Sequence, residues 1–247
     1  GCVVVESKSR IGIVVQARMG SSRLPGKVLA PLAGQPMIGR VLERLSLCQH
    51  ADIVILATSN ESGDKPLVDW ARSTDVTVFL GSELDVLDRF YRCALDFDLD
   101  VVVRATGDNP FVDPEEGDRL IAHFLNNQLD YAAMAVDPND GYPGGLSLEI
   151  FSLDTLKRSW KYGLESHHRE HVNEYVLENF ELFQTGNITA PPEKTAPDLS
   201  FTVDTEKELT LADSIYNSFL QHAPNKFLPL DWAICYMRDN SFSQDKL

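Results

Sequence analysis

Three cations, Arg18, Arg23 and Lys27, fall within ten residues that contain no acid. They belong to Gln16–Lys27 (QARMGSSRLPGK), whose Ala17, Gly20, Ser21, Ser22 and Gly26 are small enough to let a backbone approach an anion closely. The whole chain has 22 Lys and Arg against 37 Asp and Glu, a formal net charge of −15. An acid-free cluster of cations in such a chain needs a reason, and a bound triphosphate is one. A solvated surface loop is the plain alternative. Two familiar phosphate motifs do not fit. The P-loop needs four residues between its glycines and Ser or Thr after the lysine, whereas five separate Gly20 from Gly26 and Val28 follows Lys27. The dinucleotide fingerprint G-x-G-x-x-G is absent.

Two aspartates stand in matching contexts, Asp108 closing VVVRATGD and Asp204 closing LSFTVD. Each would sit at the carboxyl end of a strand, so the two could converge on one Mg²⁺, which prefers carboxylate oxygens plus substrate phosphates. Taken singly, each has an ordinary reading as a turn or a helix start, Asp204 especially, ahead of Thr205-Glu206. Further on, His167-His168-Arg169-Glu170-His171 matches the H-x-x-E-H pattern of inverted zinc peptidases. With His167 and His171 four apart, a helix could bring both to one zinc with Glu170 as base. A helix start beside a cleft is the ordinary reading there.

Positioning these groups falls to apolar runs that alternate with helix-length segments. Ile11–Val15, Ile53–Ala57, Val76–Leu80 and Val101–Ala105 read as parallel strands buried on both faces. Helical spacing follows each, at 36–47, 65–72, about 85–94 and about 114–126. That alternation predicts an α/β chain with a doubly wound, mostly parallel sheet, whose loops after the strands form the ligand site. The second half is less regular. Asp137–Gly145 and Thr189–Pro197 read as loops, Leu146–Phe151 and Leu199–Val203 as strands, and 153–160, 169–179 and the segment from Glu206 as helices. The chain thus reads as one domain, 1–247, with an embedded subregion at about 137–198.

Composition narrows the partners. At 43% hydrophobic residues there is ample material for one large core. The acidic surface repels phosphate backbones, which makes nucleic acid and anionic membrane poor partners. No apolar run approaches the roughly 20 residues of a membrane span, and Gly1–Arg10 lacks a signal-peptide layout. Four scattered cysteines (Cys2, Cys48, Cys93, Cys235) without a C-x-x-C pair predict reduced thiols and a cytoplasmic location.

QARMGSSRLPGKVL, then ATGDNP, then FTVDTEKEL resemble, in this order, the cytidylyltransferases that activate acidic sugars, the CMP-Kdo and CMP-sialic acid synthetases. The resemblance runs from about Ile11 to Tyr216 and is closest to the branch of spore coat polysaccharide biosynthesis protein F. It implies a Rossmann-like fold, a homodimer, and Mg²⁺-dependent transfer of CMP from CTP to a small acidic, sugar-like acceptor. It further implies that Arg18, Arg23 and Lys27 hold the triphosphate, with Ser21 and Ser22 in the same loop, and that Asp108 and Asp204 bind the metal. Base-side contacts would come from Gln16, Ala17, Thr58, Ser59 and Ser82. Glu149, Arg169 and His171, outside the nucleotide motifs, are the candidates for the acceptor, Arg169 for its carboxylate. The chain departs from the Kdo pattern at Gln16, Arg104 and Thr106. It departs from the closest branch in Gly145-Leu146-Ser147-Leu148-Glu149, where G-L-D-V-E is usual.

Overall fold

In a computed structural model, which describes residues 8–240, seven strands form one sheet. They are β1 Ile11–Gln16, β2 Ile53–Ser59, β3 Val78–Gly81, β4 Val101–Thr106, β5 Tyr131–Met134, β6 Leu148–Ser152 and β7 Thr185–Asn187, in the spatial order β3-β2-β1-β4-β6-β5-β7. The first four pair in parallel, and only β6 runs against the rest. Cys2 and Val3–Val5 lie outside the described residues.

Period-two alternation decides which face each strand residue serves. Ile13 and Val15 point into a core shared with α1 (Met37–Leu45), α2 (Lys65–Ser73), α4 (Pro114–Asn126), α8 (Glu206–His222) and α9 (Leu230–Asp239). Val14 and Val102 point into a second core with α3 (Val86–Asp96), α5 (Leu153–Tyr162) and α7 (Glu174–Glu178). A sheet covered on both faces is the doubly wound arrangement that the continuous apolar runs require.

Helix starts are set locally. Asp85 accepts from Asp88 N–H at 2.9 Å at the head of α3, and Asp113 accepts from Glu115 N–H at 2.9 Å ahead of Pro114. Thr205 and Glu208 form a reciprocal capping box on α8. Cys48, Cys93 and Cys235 are free thiols, and burial pushes the first two up to about 12. Among the described residues no helix is long and apolar enough to cross a membrane.

The second half corrects several expectations. Strands β5 and β7 and helix α9 fall where the sequence pattern predicts none. Leu199–Val203 is extended but joins the sheet nowhere; its one bridge is Gly144 to Ser200. The helix expected over 169–179 is two short ones, α6 (Ser166–Glu170) and α7, because His171 leaves helical geometry at φ −113°, ψ 100°.

Candidate active site

A cavity of about 720 Å³ opens at the carboxyl ends of β1 and β4, and residues 16–27 form much of its wall. Gln16, Ala17, Arg18, Ser21, Ser22, Arg23 and Lys27 all line it. The stretch is held by its own backbone and by one buried acid. Gly26 N–H reaches Met19 O at 2.8 Å, and Met19 N–H donates to Asp64 Oδ1 at 2.8 Å. Ser59 Oγ–H donates to the other oxygen of Asp64. Arg18 and Arg23 are exposed and make no hydrogen bond or ion pair with any described residue. Thr58 and Ser59, expected on the base side, are fully buried and do not reach the cavity. Ser59 acts one step back, fixing the acid that anchors the loop. Ser82 likewise does not line the cavity; its hydroxyl caps Asp85 N–H at 3.0 Å, while neighbouring Glu83, Leu84 and Val86 form the wall.

Asp108 and Asp204, 96 positions apart in the chain, meet at Lys27. The ammonium donates to Asp108 Oδ2 at 3.0 Å, to Asp204 Oδ1 at 2.9 Å and to Val203 O at 3.1 Å. Two glycines permit the meeting. A Cβ on Gly107 would lie 2.8 Å from Ala17 Cβ, so only glycine lets the turn bearing Asp108 close on the loop. Gly145, at φ +86°, would place a Cβ 2.5 Å from Thr202 N; there the backbone of 144–145 brings in the segment that delivers Asp204. Burial lowers the Lys27 pKa, but the field of Asp108 and the hydrogen bonds to both acids outweigh it and hold it above the ordinary value. Asp108 Oδ1 and Asp204 Oδ2 accept from no described residue. Two half-exposed carboxylates with one spare oxygen each suit a hard divalent cation, so the donor set fits Mg²⁺.

Sheet register builds the neighbouring wall. Arg104 on β4 stands opposite Glu149 on β6, and Gln16 on β1 lies diagonally across from it. Arg104 Nη1–H donates to Glu149 Oε2 at 2.7 Å, and Nε–H donates to Gln16 Oε1 at 2.9 Å. Glu149 Oε1 accepts from Tyr131 OH at 2.5 Å and from the Asn173 side-chain amide. Burial and the adjacent Glu149 carboxylate push the Tyr131 hydroxyl pKa well up, so it remains a donor. Glu149, expected to meet an acceptor, is therefore buried, saturated and absent from the cavity wall.

Arg169 does not reach the cavity either. It grips Asp85 through Nε at 3.0 and 2.9 Å and donates to Trp160 O at 2.7 Å, tying α6 to the start of α3. His171 does line the cavity, with Ser166 and Glu170. His167 turns away: it and His168 both hydrogen-bond Glu178, at 2.5 and 2.6 Å. His168 Nδ1 accepts from Glu165 N–H at 3.2 Å, which leaves the ring proton on Nε2, facing Glu178. That trio is a hydrogen-bonded clasp, and His167 and His171 share no helix face. Sequence reasoning missed Arg89 and Arg104 on the wall. Arg89 is buried without an ion-pair partner among the described residues, donating to Ser82 O and Glu83 O at 2.9 Å each. Burial lowers its pKa. Its only signal was a cation inside an amphipathic helix.

The cytidylyltransferase family model matches residues 12–224. Spore coat polysaccharide biosynthesis protein SpsF of Bacillus subtilis is 33% identical over 82% of this chain and 85% of its own. An uncharacterised protein of Methanocaldococcus jannaschii is 38% identical over 80% of this chain and 79% of its own. Among solved structures, a cytidylyltransferase from Leptospira borgpetersenii superposes with a TM-score of 0.85 at 29% identity, covering 95% of this chain and 96% of that one. A CMP-2-keto-3-deoxy-manno-octonic acid synthetase complexed with CTP shares the fold, with a TM-score of 0.64 at 21% identity over 87% of this chain and all of that one. Two arginines without a partner among the described residues, a pair of carboxylates on one lysine and a family match over most of its length agree: the chain belongs to the cytidylyltransferase family.

Proposed function

We propose that this chain transfers CMP from CTP to a small acidic, sugar-like acceptor, using Mg²⁺ and releasing pyrophosphate. The observation that carries the reading is the convergence of Lys27, Asp108 and Asp204 beside a loop whose two arginines have no partner among the described residues. In this scheme an acceptor hydroxyl attacks the α-phosphorus, the bond to the bridging oxygen breaks, and pyrophosphate departs. Arg18, Arg23 and Lys27 hold the triphosphate and counter its charge, with Ser21 and Ser22 beside them, while Gln16 and Ala17 border the nucleoside. Asp108 and Asp204 would hold Mg²⁺, which when bound withdraws charge from the phosphate oxygens. His171 faces the acceptor. Two relatives support the substrate class: one is a spore coat polysaccharide biosynthesis protein, the other a CMP-2-keto-3-deoxy-manno-octonic acid synthetase complexed with CTP.

The same reading has the whole chain act as one domain, as a homodimer in the cytoplasm. Tyr162, Leu164, Phe180 and Leu182, all exposed, belong to the subregion at about 137–198, which in this reading carries the dimer contact. Pyrophosphate release from each of the four NTPs, with Mg²⁺ and a panel of sugar acids, tests the proposal. Preference for CTP with an acid acceptor supports it; purine preference, or CTP binding without turnover on any acid, overturns it.

A further inference from the structure

Resting on that reading, we propose that Arg104, not Arg169, receives the carboxylate of the acceptor. Arg104 lines the cavity beside Thr106, Ser166, Glu170 and His171. A guanidinium carries five N–H groups. Here one goes to Gln16 and one to Glu149, and Nη2 donates to no described residue. The side chain is 15% exposed and lines the cavity, so the part of it left accessible faces the space a ligand would fill. Donors left in that position gain most from a bound acceptor of hydrogen bonds.

The charge balance says which ligand group fits. Arg18 and Arg23 have no acid partner among the described residues and suit a polyanion. Arg104 is largely neutralised by Glu149 at 2.7 Å, so it offers directed N–H groups more than net charge. Such a group matches a monoanionic, planar carboxylate better than a triphosphate. The side chain is also held in place. Glu149 is fixed by Tyr131 and Asn173, Gln16 holds Nε, and the buried Phe90 ring lies 5.8 Å from the guanidinium carbon. The row Gln16–Arg104–Glu149–Tyr131 crosses four strands, giving the donor the rigidity that selective recognition needs. Glu170 and His171, both on the wall, would face hydroxyl groups of the same acceptor. The ligand class is thus a sugar acid whose carboxylate is read by Arg104 and whose hydroxyls lie toward α6.

The test compares wild type with Arg104→Lys and Arg104→Gln. CTP affinity is measured by calorimetry without acceptor. Pyrophosphate release is then followed with 3-deoxy-manno-octulosonate, N-acetylneuraminate and the methyl ester of each. Wild type is expected to prefer the free acid it uses over its ester. Both variants should raise that acid's KM about 10- to 100-fold, the scale of a hydrogen bond to a charged group, with a far smaller change in the Kd of CTP through the lost contact to Gln16. The acid-over-ester preference should collapse with it. Arg104→Lys keeps a cation beside buried Glu149, so it remains informative if Arg104→Gln does not fold. An unchanged acceptor KM in the variants, a retained ester discrimination, or a rise confined to the Kd of CTP would overturn the assignment alone. No turnover by wild type with any sugar acid of the panel would overturn the assignment together with the reading beneath it.

Discussion

The cations on the Gln16–Lys27 loop and two arginines on neighbouring elements, Arg104 and Arg169, are equipped in opposite ways. Arg18 and Arg23 stand exposed with no ion-pair partner among the described residues, whereas Arg104 and Arg169 are each paired with a carboxylate drawn from another element. Lys27 is intermediate, since its partners are the very carboxylates that suit a cation. An unpaired cation in a chain of net charge −15 is open to a ligand. A paired one serves the architecture unless, like Arg104, it retains donors toward the cavity. The sequence-based choice of Arg169 for the acceptor fails on this ground: Asp85 satisfies its guanidinium before any ligand arrives.

The strongest way to break the comparison is to remove the carboxylates. Asp108→Asn and Asp204→Asn should each lower kcat at least about 10³-fold, because several kcal/mol of transition-state charge stabilisation would go with the metal. Thermal melts should show the fold intact. Near-full turnover of either variant at limiting Mg²⁺ means that its aspartate is no ligand. Lys27→Ala comes next, with kcat/KM expected to fall roughly 10²–10³-fold, as for loss of one charge-stabilising donor. A loss under about tenfold would return Lys27 to the structural side of the comparison.

Arg169→Ala should invert this pattern. Its cost belongs to stability, about 1–3 kcal/mol in chemical denaturation, while the acceptor KM stays within about twofold. A large rise in that KM with stability unchanged would restore the sequence-based assignment.

The smallest effect concerns pH. The folded pKa of Lys27 is raised, so its clamp contributes stability fully below the ordinary value of 10.5 and loses it as pH rises through the raised folded value. In metal-free protein, the Tm of wild type should therefore fall toward that of Lys27→Met at alkaline pH above this value. A gap that does not narrow would show that the ammonium does not hold the two carboxylates together.

Much of the site was legible in the sequence because its information is local. Ile11–Val15 and Val101–Ala105 are apolar enough that only strands buried on both faces can use them, and loops after such strands meet at one sheet edge. The cations of 16–27 and the position of Asp108 follow from that placement alone. Asp204 was found by its context, although the segment before it is no sheet strand and reaches the site through Gly144–Gly145.

What local pattern could not carry is pairing. Arg104 meets Glu149, 45 residues away, only because β4 and β6 run antiparallel in one register; a slip of one residue would turn either side chain to the other face. Arg169 meets Asp85 across 84 residues through the packing of α6 on α3. Tyr131–Met134 and Thr185–Asn187 have too few residues to show a period, so these two strands at one edge of the sheet were hidden as well. Residue types and their spacing thus determined the chemistry this chain can offer. Which charges remain free to offer it was decided by tertiary structure, because a charge is neutralised by whatever the fold brings within about 4 Å, at whatever distance along the chain.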